Sequence, residues 1–271
     1  MIKKIGAIGD IHGDYERLRA LLIKHGVISI DNKWIAEDRT FVCTGDITNR
    51  LYGGINVILL FMKLEKEATE AGGRFVSLCG NHDALILARA YGFLGDDDGR
   101  SCHNFFEQIG GFWIEAHTIA MDEKILEWMK NRPLMHREGE NLFQHADTCD
   151  FYNSFGNTIE EINQNGINLL STAAGAIEMF ARMCNCRFWD SDEQEWQNCE
   201  NTKIKIESYM EKFEVKNIFH GHTAFTGSSP LVSFGGKICN LDGSLSAAYS
   251  EDPNRGFIIE IDQFSKCYYV Q

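Results

Sequence analysis

Ile5-Gly6-Ala7-Ile8-Gly9-Asp10-Ile11-His12-Gly13 is the stretch whose reading decides the fold. Its first five residues are uncharged and read as a short buried strand that stops at Asp10. Residues 15–25 follow with Leu18, Leu21 and Leu22 at helical spacing, and Gly26 is a stop signal. The pattern then recurs. Residues 40–43 read as a strand ending at Gly45-Asp46, and residues 55–71 as a helix closed by Gly72-Gly73. Residues 74–79 are a strand ending at Gly80-Asn81-His82-Asp83, with helical spacing again over 84–90. Strands alternating with helices argue a layered α/β fold.

Outward from this core the pattern loosens. Residues 92–140 are less regular, with the run Asp96-Asp97-Asp98 and a helix over 122–130 stopped near Pro133. Residues 141–145 read as a strand, 158–183 as mostly helical and 184–203 as a polar loop. The last third is strand-rich, over 215–220, 231–234, 237–241, 257–261 and 267–270. Only three prolines occur, no Ser/Gly/Pro tract divides the chain, and no repeat of fixed period is present. The expectation is one domain over 1–271, with 92–140 and 150–212 as cap or insert segments.

The chain has 271 residues, with 26 Lys+Arg against 39 Asp+Glu, a net charge of −13. Apolar residues make up 44% and charged residues 24%, as in folded soluble proteins. The acidic balance argues against a broad surface for duplex nucleic acid or anionic lipid. It leaves room for an anionic substrate where a metal or a few arginines reverse the sign locally. The nine cysteines contain no CxxC pair, which argues against a zinc ribbon or a thioredoxin-like site. The apolar run at 5–8 is too short for a secretory signal, and no segment approaches 18 apolar residues. No membrane span and a reducing cytoplasm are expected.

The polar residues sit where strands give way to loops. Asp10 and His12 follow the first strand, Asp46 the second, Asn81 and His82 the third. His145 ends the strand around Phe143, and His220 and His222 follow the strand around Ile218. In an open α/β sheet such ends converge on the ligand crevice. Two carboxylates, an amide oxygen and several imidazoles form an O/N donor set for Mn, Fe, Co, Ni or Zn. That is more ligand than one tetrahedral ion needs, so a carboxylate shared by two ions is expected. Arg50 offers a fork of donors for phosphate. Taken singly the motifs have plainer readings: Asp-x-His as a loop cap, Gly-Asp as a turn, Asn81 and Asp83 as helix caps, His145 as a core histidine. Their joint occurrence on successive strand ends favours chemistry.

Asp10-Ile11-His12-Gly13, Gly45-Asp46 with Arg50, Gly80-Asn81-His82-Asp83, His145-Ala146-Asp147 and Gly221-His222-Thr223 resemble the five blocks of the calcineurin-like metallophosphatases. The blocks are similar to the phosphoprotein-phosphatase branch, in its bacterial and phage-type forms or its diadenosine tetraphosphatase-like form. The resemblance implies an α/β/β/α sandwich with two central mixed sheets flanked by helices. It also implies Asp10 and His12 on a first metal, Asp46 shared, and Asn81, His145 and His222 on a second. His82 would be the general acid that protonates the leaving alkoxide, or else an electrostatic stabiliser, and Arg50 the phosphate grip. A metal-bridging hydroxide would attack phosphorus in line, without a covalent phosphoenzyme.

The chain departs from that branch at several positions. Asn49 stands where the branch carries an Asp oriented toward the catalytic histidine, and an amide cannot supply the charge that stabilises an imidazolium. Asp83 stands where Glu is usual. Ser191 occupies the expected place of a second phosphate-binding arginine, leaving Arg182 or Arg187 as substitutes. His220 reads as a supporting or structural residue, because the Gly-His-Thr form aligns His222 with the ligand.

The leading function is therefore a dinuclear, manganese-preferring phosphatase hydrolysing phosphate monoesters, with a phosphorylated protein as substrate. Hydrolysis of dinucleoside polyphosphates or other small phosphoesters is the first alternative. A non-catalytic metal-binding interaction module is the second, and Asn49 is the residue that keeps it in play. Aromatics between the blocks (Phe105, Phe106, Trp113, Phe188, Trp189, Trp196) would stack on a base or phosphotyrosine, or simply pack locally.

Overall fold

Ile5, Ala7 and Ile8 of the first strand, β1 (Ile5–Ile8), are buried, so both faces of this strand are covered. The computed structural model describes residues 4–93, 113–186, 200–225, 229–252, 255–261 and 267–270. β1 pairs in parallel with β2 (Thr40–Cys43), and β2 in parallel with β3 (Arg74–Ser77). On its other side β9 (Ile258–Ile261) runs antiparallel to β1, and β10 (Cys267–Val270) antiparallel to β9. The helices α1 (Tyr15–Lys24) and α2 (Gly54–Glu70) make the two parallel crossovers, and α3 (Asn81–Ala90) follows β3.

A second sheet has β5 (Asn141–Gln144), β6 (Asn217–His220) and β8 (Ile238–Asn240) in parallel at its centre. Its edges are β4 (Met135–Glu138) and β7 (Leu231–Ser233), both antiparallel to their neighbours. Both sheets are thus mixed.

Strand parity builds the layers. Ile5 and Ala7 of β1, Val42 of β2 and Ile259 and Ile261 of β9 pack with Phe143, Phe219 and Cys239 of the second sheet. The Phe143 and Phe219 rings stack at 5.1 Å in this seam. Residues of the other parity, Ile8, Phe41, Cys43, Leu142, Ile218 and Ile238, turn to the core shared with the helices. This is the expected α/β/β/α arrangement. Truncating Phe143 to Ala would open the seam and cost about 3–5 kcal/mol.

Several local expectations are corrected. The mostly helical reading of 158–183 holds, and the stretch divides into two helices, Ile159–Leu170 and Ala173–Cys184. Thr172 accepts the Gly175 N–H at 3.1 Å and starts the second, as a hydroxyl that competes for backbone N–H groups does best at a cap. Residues 92–140 hold β4 and two helices, Trp113–Met121 and Glu123–Lys130, separated by Asp122, whose carboxylate caps the second. The stretch read as a loop to 203 runs into the helix Glu200–Lys212. Asn81 lies inside the first turn of α3 and does not cap it; Asp83 accepts the Gly80 N–H at 3.0 Å instead.

Asp96 to Asp98, Phe105, Phe106, Arg187, Phe188, Trp189, Ser191 and Trp196 lie outside the described residues. Among the described residues, no helix is long and apolar enough to cross a membrane.

Candidate metal centre

Each sequence motif starts where a parallel strand stops, so the loops after β1, β2, β3, β5 and β6 meet at one end of the two sheets. The approach is close enough to require glycine. A Cβ on Gly80 would lie 2.1 Å from Asp46 Oδ1, and one on Gly221 2.1 Å from Asp10 Oδ1. The carboxylates therefore rest directly on neighbouring backbone.

Asp46 is the centre of the cluster. Its Oδ1 accepts the His82 backbone N–H at 2.8 Å and lies 3.4 Å from His145 Nε2. Its Oδ2 lies 3.7 Å from His12 Nε2. Asp10 Oδ2 is 3.9 Å from the same His12 nitrogen, and both Asp10 oxygens accept the His222 N–H at 3.1 Å. Asn81 Oδ1 sits 3.0 Å from His145 Nε2 and 2.9 Å from His222 Nδ1. All of these side chains are buried. The Asp46 carboxylate thus faces His12 with one oxygen and His145 with the other, while Asp10 lies against both His12 and the His222 backbone.

This arrangement fits a pair of divalent ions. Donor atoms of His12, Asp46 and His82 lie within 4.8 Å of one another, as do those of Asp46, His145 and His222. His145 Nδ1 donates to the Thr44 carbonyl at 2.9 Å, which directs the Nε2 lone pair at the cluster. Buried carboxylate, amide and imidazole donors suit borderline ions.

The electrostatics agree. Burial drives the His12 pKa down to about 3; Asp46 opposes this, while the charges of His82, Arg50 and His145 add to it. The ring is then neutral, as a ligand must be. Burial pushes the Asp46 carboxyl up, but His145, His82 and His12 outweigh it and hold the group well below the usual range. Burial lowers His145, and the Asp46 charge and hydrogen bond more than reverse this. A proton and an ion therefore compete for its Nε2. Asp83 is pushed up to about 6 by burial and the Asp46 charge, against hydrogen bonds from Gly80 and Thr48.

The backbone carries strain here. His12, Asp46, Asn49, Arg50 and His222 all have left-handed φ, between 48° and 73°. Asp83 holds the turn after Asp46 by accepting the Ile47 N–H at 3.0 Å, the Thr48 N–H at 3.2 Å and the Thr48 hydroxyl at 2.9 Å. Asn49 is buried beside the cluster, and its Nδ2 donates to the His82 backbone carbonyl at 3.0 Å. Arg50 is half-buried, and its Nε has no hydrogen-bond partner among the described residues. Its guanidinium lies 5.5 Å from the Tyr249 ring.

All six expected ligands, with His82, Arg50 and Asn49, are thus brought together. Arg182 is not: its contacts are Glu178, Ser154 and the Phe151 and Phe155 rings, none of them part of the cluster. His220 is buried just outside, with Nδ1 against the Gly221 carbonyl at 2.9 Å.

Four neighbours carry no motif and escape sequence reading. Tyr249 brings its hydroxyl within 3.3 Å of His12 Nε2. Arg17 holds the loop beneath it, donating to the Leu245 carbonyl at 3.0 Å and the Ser250 carbonyl at 2.9 Å. Glu115 accepts the Gly54 N–H at 2.7 Å, and burial pushes its carboxyl up to about 7 against the N–H groups of Gly54, Asn49 and Ile55. Cys184 lies 3.4 Å from Asn81 Nδ2.

Comparison with known proteins identifies the family and the fold. Residues 3–225 match the model of the calcineurin-like phosphoesterase family. A Shewanella-like protein phosphatase 1 of Plasmodium berghei is 39% identical over 92 residues, 34% of this chain and 25% of that protein. A symmetrical bis(5'-nucleosyl)-tetraphosphatase of Methylococcus capsulatus is 33% identical over 150 residues, 55% of this chain and 45% of that protein. These alignments span between a quarter and under half of the curated relatives. The crystal structure of a cold-active protein-tyrosine phosphatase from a psychrophilic Shewanella superposes with a TM-score of 0.73 at 20% identity. It covers 100% of this chain and 81% of that one, a likeness of fold. The chain belongs to the calcineurin-like phosphoesterase family.

Proposed function

We propose that the chain is a two-metal phosphatase that hydrolyses phosphate monoesters, with phosphorylated Ser, Thr or Tyr side chains of proteins as its substrate class. One observation carries the reading: two sets of buried donors converge on the shared carboxylate of Asp46, beside the half-buried guanidinium of Arg50. In this reading Asp10, His12 and Asp46 hold one ion, and Asp46, Asn81, His145 and His222 the other. Manganese is the first candidate, with Fe, Zn, Co or Ni as alternatives. When bound, the ions supply positive charge for phosphate oxygens and make water acidic enough to act as a nucleophile near neutral pH.

The chain's own residues do the rest. Arg50 grips the phosphate with its guanidinium fork. His82 donates a proton to the leaving alkoxide. Its backbone N–H rests on Asp46 Oδ1, so the acid is positioned by the shared carboxylate. Asn49 fixes the His82 main chain from the other side. We also read 1–271 as one domain, in which 92–140 and 150–212 cap the cleft and select the substrate, and we place the protein in the cytoplasm. The net charge of −13 supports neither duplex nucleic acid nor an anionic membrane as a partner.

A second reading is hydrolysis of dinucleoside polyphosphates. It is favoured by the tetraphosphatase relatives, whose alignment runs over 150 residues rather than 92. A non-catalytic role is disfavoured because every expected ligand is present.

The test is hydrolysis of p-nitrophenyl phosphate by Mn-loaded protein. Turnover should vanish with chelator and fall at least about 100-fold in Asp46→Asn. A phosphopeptide should then outcompete diadenosine tetraphosphate. Absence of turnover on every phosphoester by metal-loaded protein would end the enzyme reading.

A further inference from the structure

An asparagine ligates through its oxygen only, and the amide nitrogen occupies nearly the same space. Something must therefore decide which end of Asn81 faces the imidazoles. Oδ1 lies 2.9 Å from His222 Nδ1 and 3.0 Å from His145 Nε2. Nδ2 points away, to Cys184 Sγ at 3.4 Å, and this sulfur is its hydrogen-bond partner among the described residues.

Cys184 is the last residue of the helix Ala173–Cys184. That helix buries Ala176, Met179, Phe180 and Met183 in the core that also takes Ala84, Leu85 and Ala88 of α3, on which Asn81 sits. The sulfur is thus held by packing between two helices, and it reaches the cluster from the segment between the motifs. A thiol is a weak acceptor, but it is the right partner for an amide N–H and the wrong one for an amide oxygen beyond its own weak S–H.

We propose that Cys184 is a positioning residue for the metal centre: its sulfur holds the Asn81 carboxamide with the oxygen turned to His145 and His222, and so sets the affinity of the ion that those three residues share. The inference rests on the two-metal reading above. Partners of metal ligands typically matter by 10–100-fold in affinity. The effect falls on the ion shared by Asn81, His145 and His222, whose rings are the ones that Asn81 Oδ1 faces.

Titration of metal-free protein with Mn²⁺ against a chromophoric chelator tests this without turnover. Wild type should bind two ions. Cys184→Ala should weaken one of them about 10–100-fold and leave the other unchanged, with the melting temperature recorded alongside. Cys184→Ser, which keeps an acceptor, should recover most of the loss. Wild-type affinity for both ions in Cys184→Ala overturns the proposal. So does an equal weakening of both ions in the Ala and Ser variants, which marks a packing role. A wild type that binds fewer than two ions, or an Asn81→Ala variant that binds two as tightly as wild type, overturns the two-metal reading itself and this inference with it.

Discussion

Asn49 donates its side-chain N–H to the backbone carbonyl of His82 at 3.0 Å, and its buried Oδ1 has no hydrogen-bond partner among the described residues. The residue that relatives would fill with Asp is thus a main-chain clamp here. Asn49→Asp replaces a donor with a buried carboxylate that faces a carbonyl oxygen. It should destabilise the protein by roughly 1–3 kcal/mol at pH 8, and Asn49→Ala by about 1 kcal/mol. Urea midpoints decide the matter; an Asp variant as stable as wild type would mean that the amide is not a clamp.

Gly80→Ala and Gly221→Ala test how tightly the carboxylates are cradled. The new Cβ on Gly221 meets Asp10 Oδ1 at 2.1 Å and Thr44 Oγ1 at 2.8 Å, atoms of side chains that can shift. On Gly80 it meets Asp46 Oδ1 at 2.1 Å and also the Asp46 backbone nitrogen at 2.3 Å, which cannot move without the turn. Both should lose stability, by about 1–3 kcal/mol for Gly221→Ala and more for Gly80→Ala. Thermal melts of the metal-free variants rank them. The reverse order would contradict the geometry.

Tyr249 connects Arg50 to His12, and Arg17 holds the loop that carries it. An exposed cation–aromatic contact is worth about 0.5–1 kcal/mol, so Tyr249→Ala should raise KM for p-nitrophenyl phosphate roughly two- to fivefold. Arg17→Ala should do the same by releasing the loop, and the double variant should add little to either. Full additivity in KM would separate the clamp from the ring.

The sheets and the cluster were legible for one reason. Buried parallel strands are continuous apolar runs, and each stops at a polar residue that sits at the crevice; Ile8 to Asp10 and Cys43 to Asp46 are both of this kind. The rest depended on contacts distant in the chain. Tyr249 is 237 residues from His12, and Cys184 is 103 from Asn81. No periodicity connects such pairs. The break at Ser171 and Thr172 was hidden because apolar residues at helical spacing flank it on both sides. Sequence position alone could not show that Glu178 and Ser154 engage Arg182, apart from the cluster.

Glu115 gives the last prediction, on pH. Its carboxyl is pushed by burial from the ordinary value of 4.5 up to about 7, against the N–H groups of Gly54, Asn49 and Ile55. The folded protein therefore retains a proton between those values that the unfolded chain releases. The associated stability is fully present below pH 4.5 and is lost as pH rises through 7. The loss is on the order of 3 kcal/mol for a shift of this size. Glu115→Gln keeps an acceptor for Gly54 and cannot ionise, so its stability relative to wild type should climb from pH 5 to pH 8. Asp83, pushed up to about 6, bends the curve the same way over a lower range; it is present in both proteins, and its charge adds to the upward shift of Glu115. Urea unfolding of metal-free wild type and variant at four pH values measures that difference. A gap independent of pH would show that Glu115 is ionised throughout and that its burial is offset by the N–H groups of the Arg50 turn.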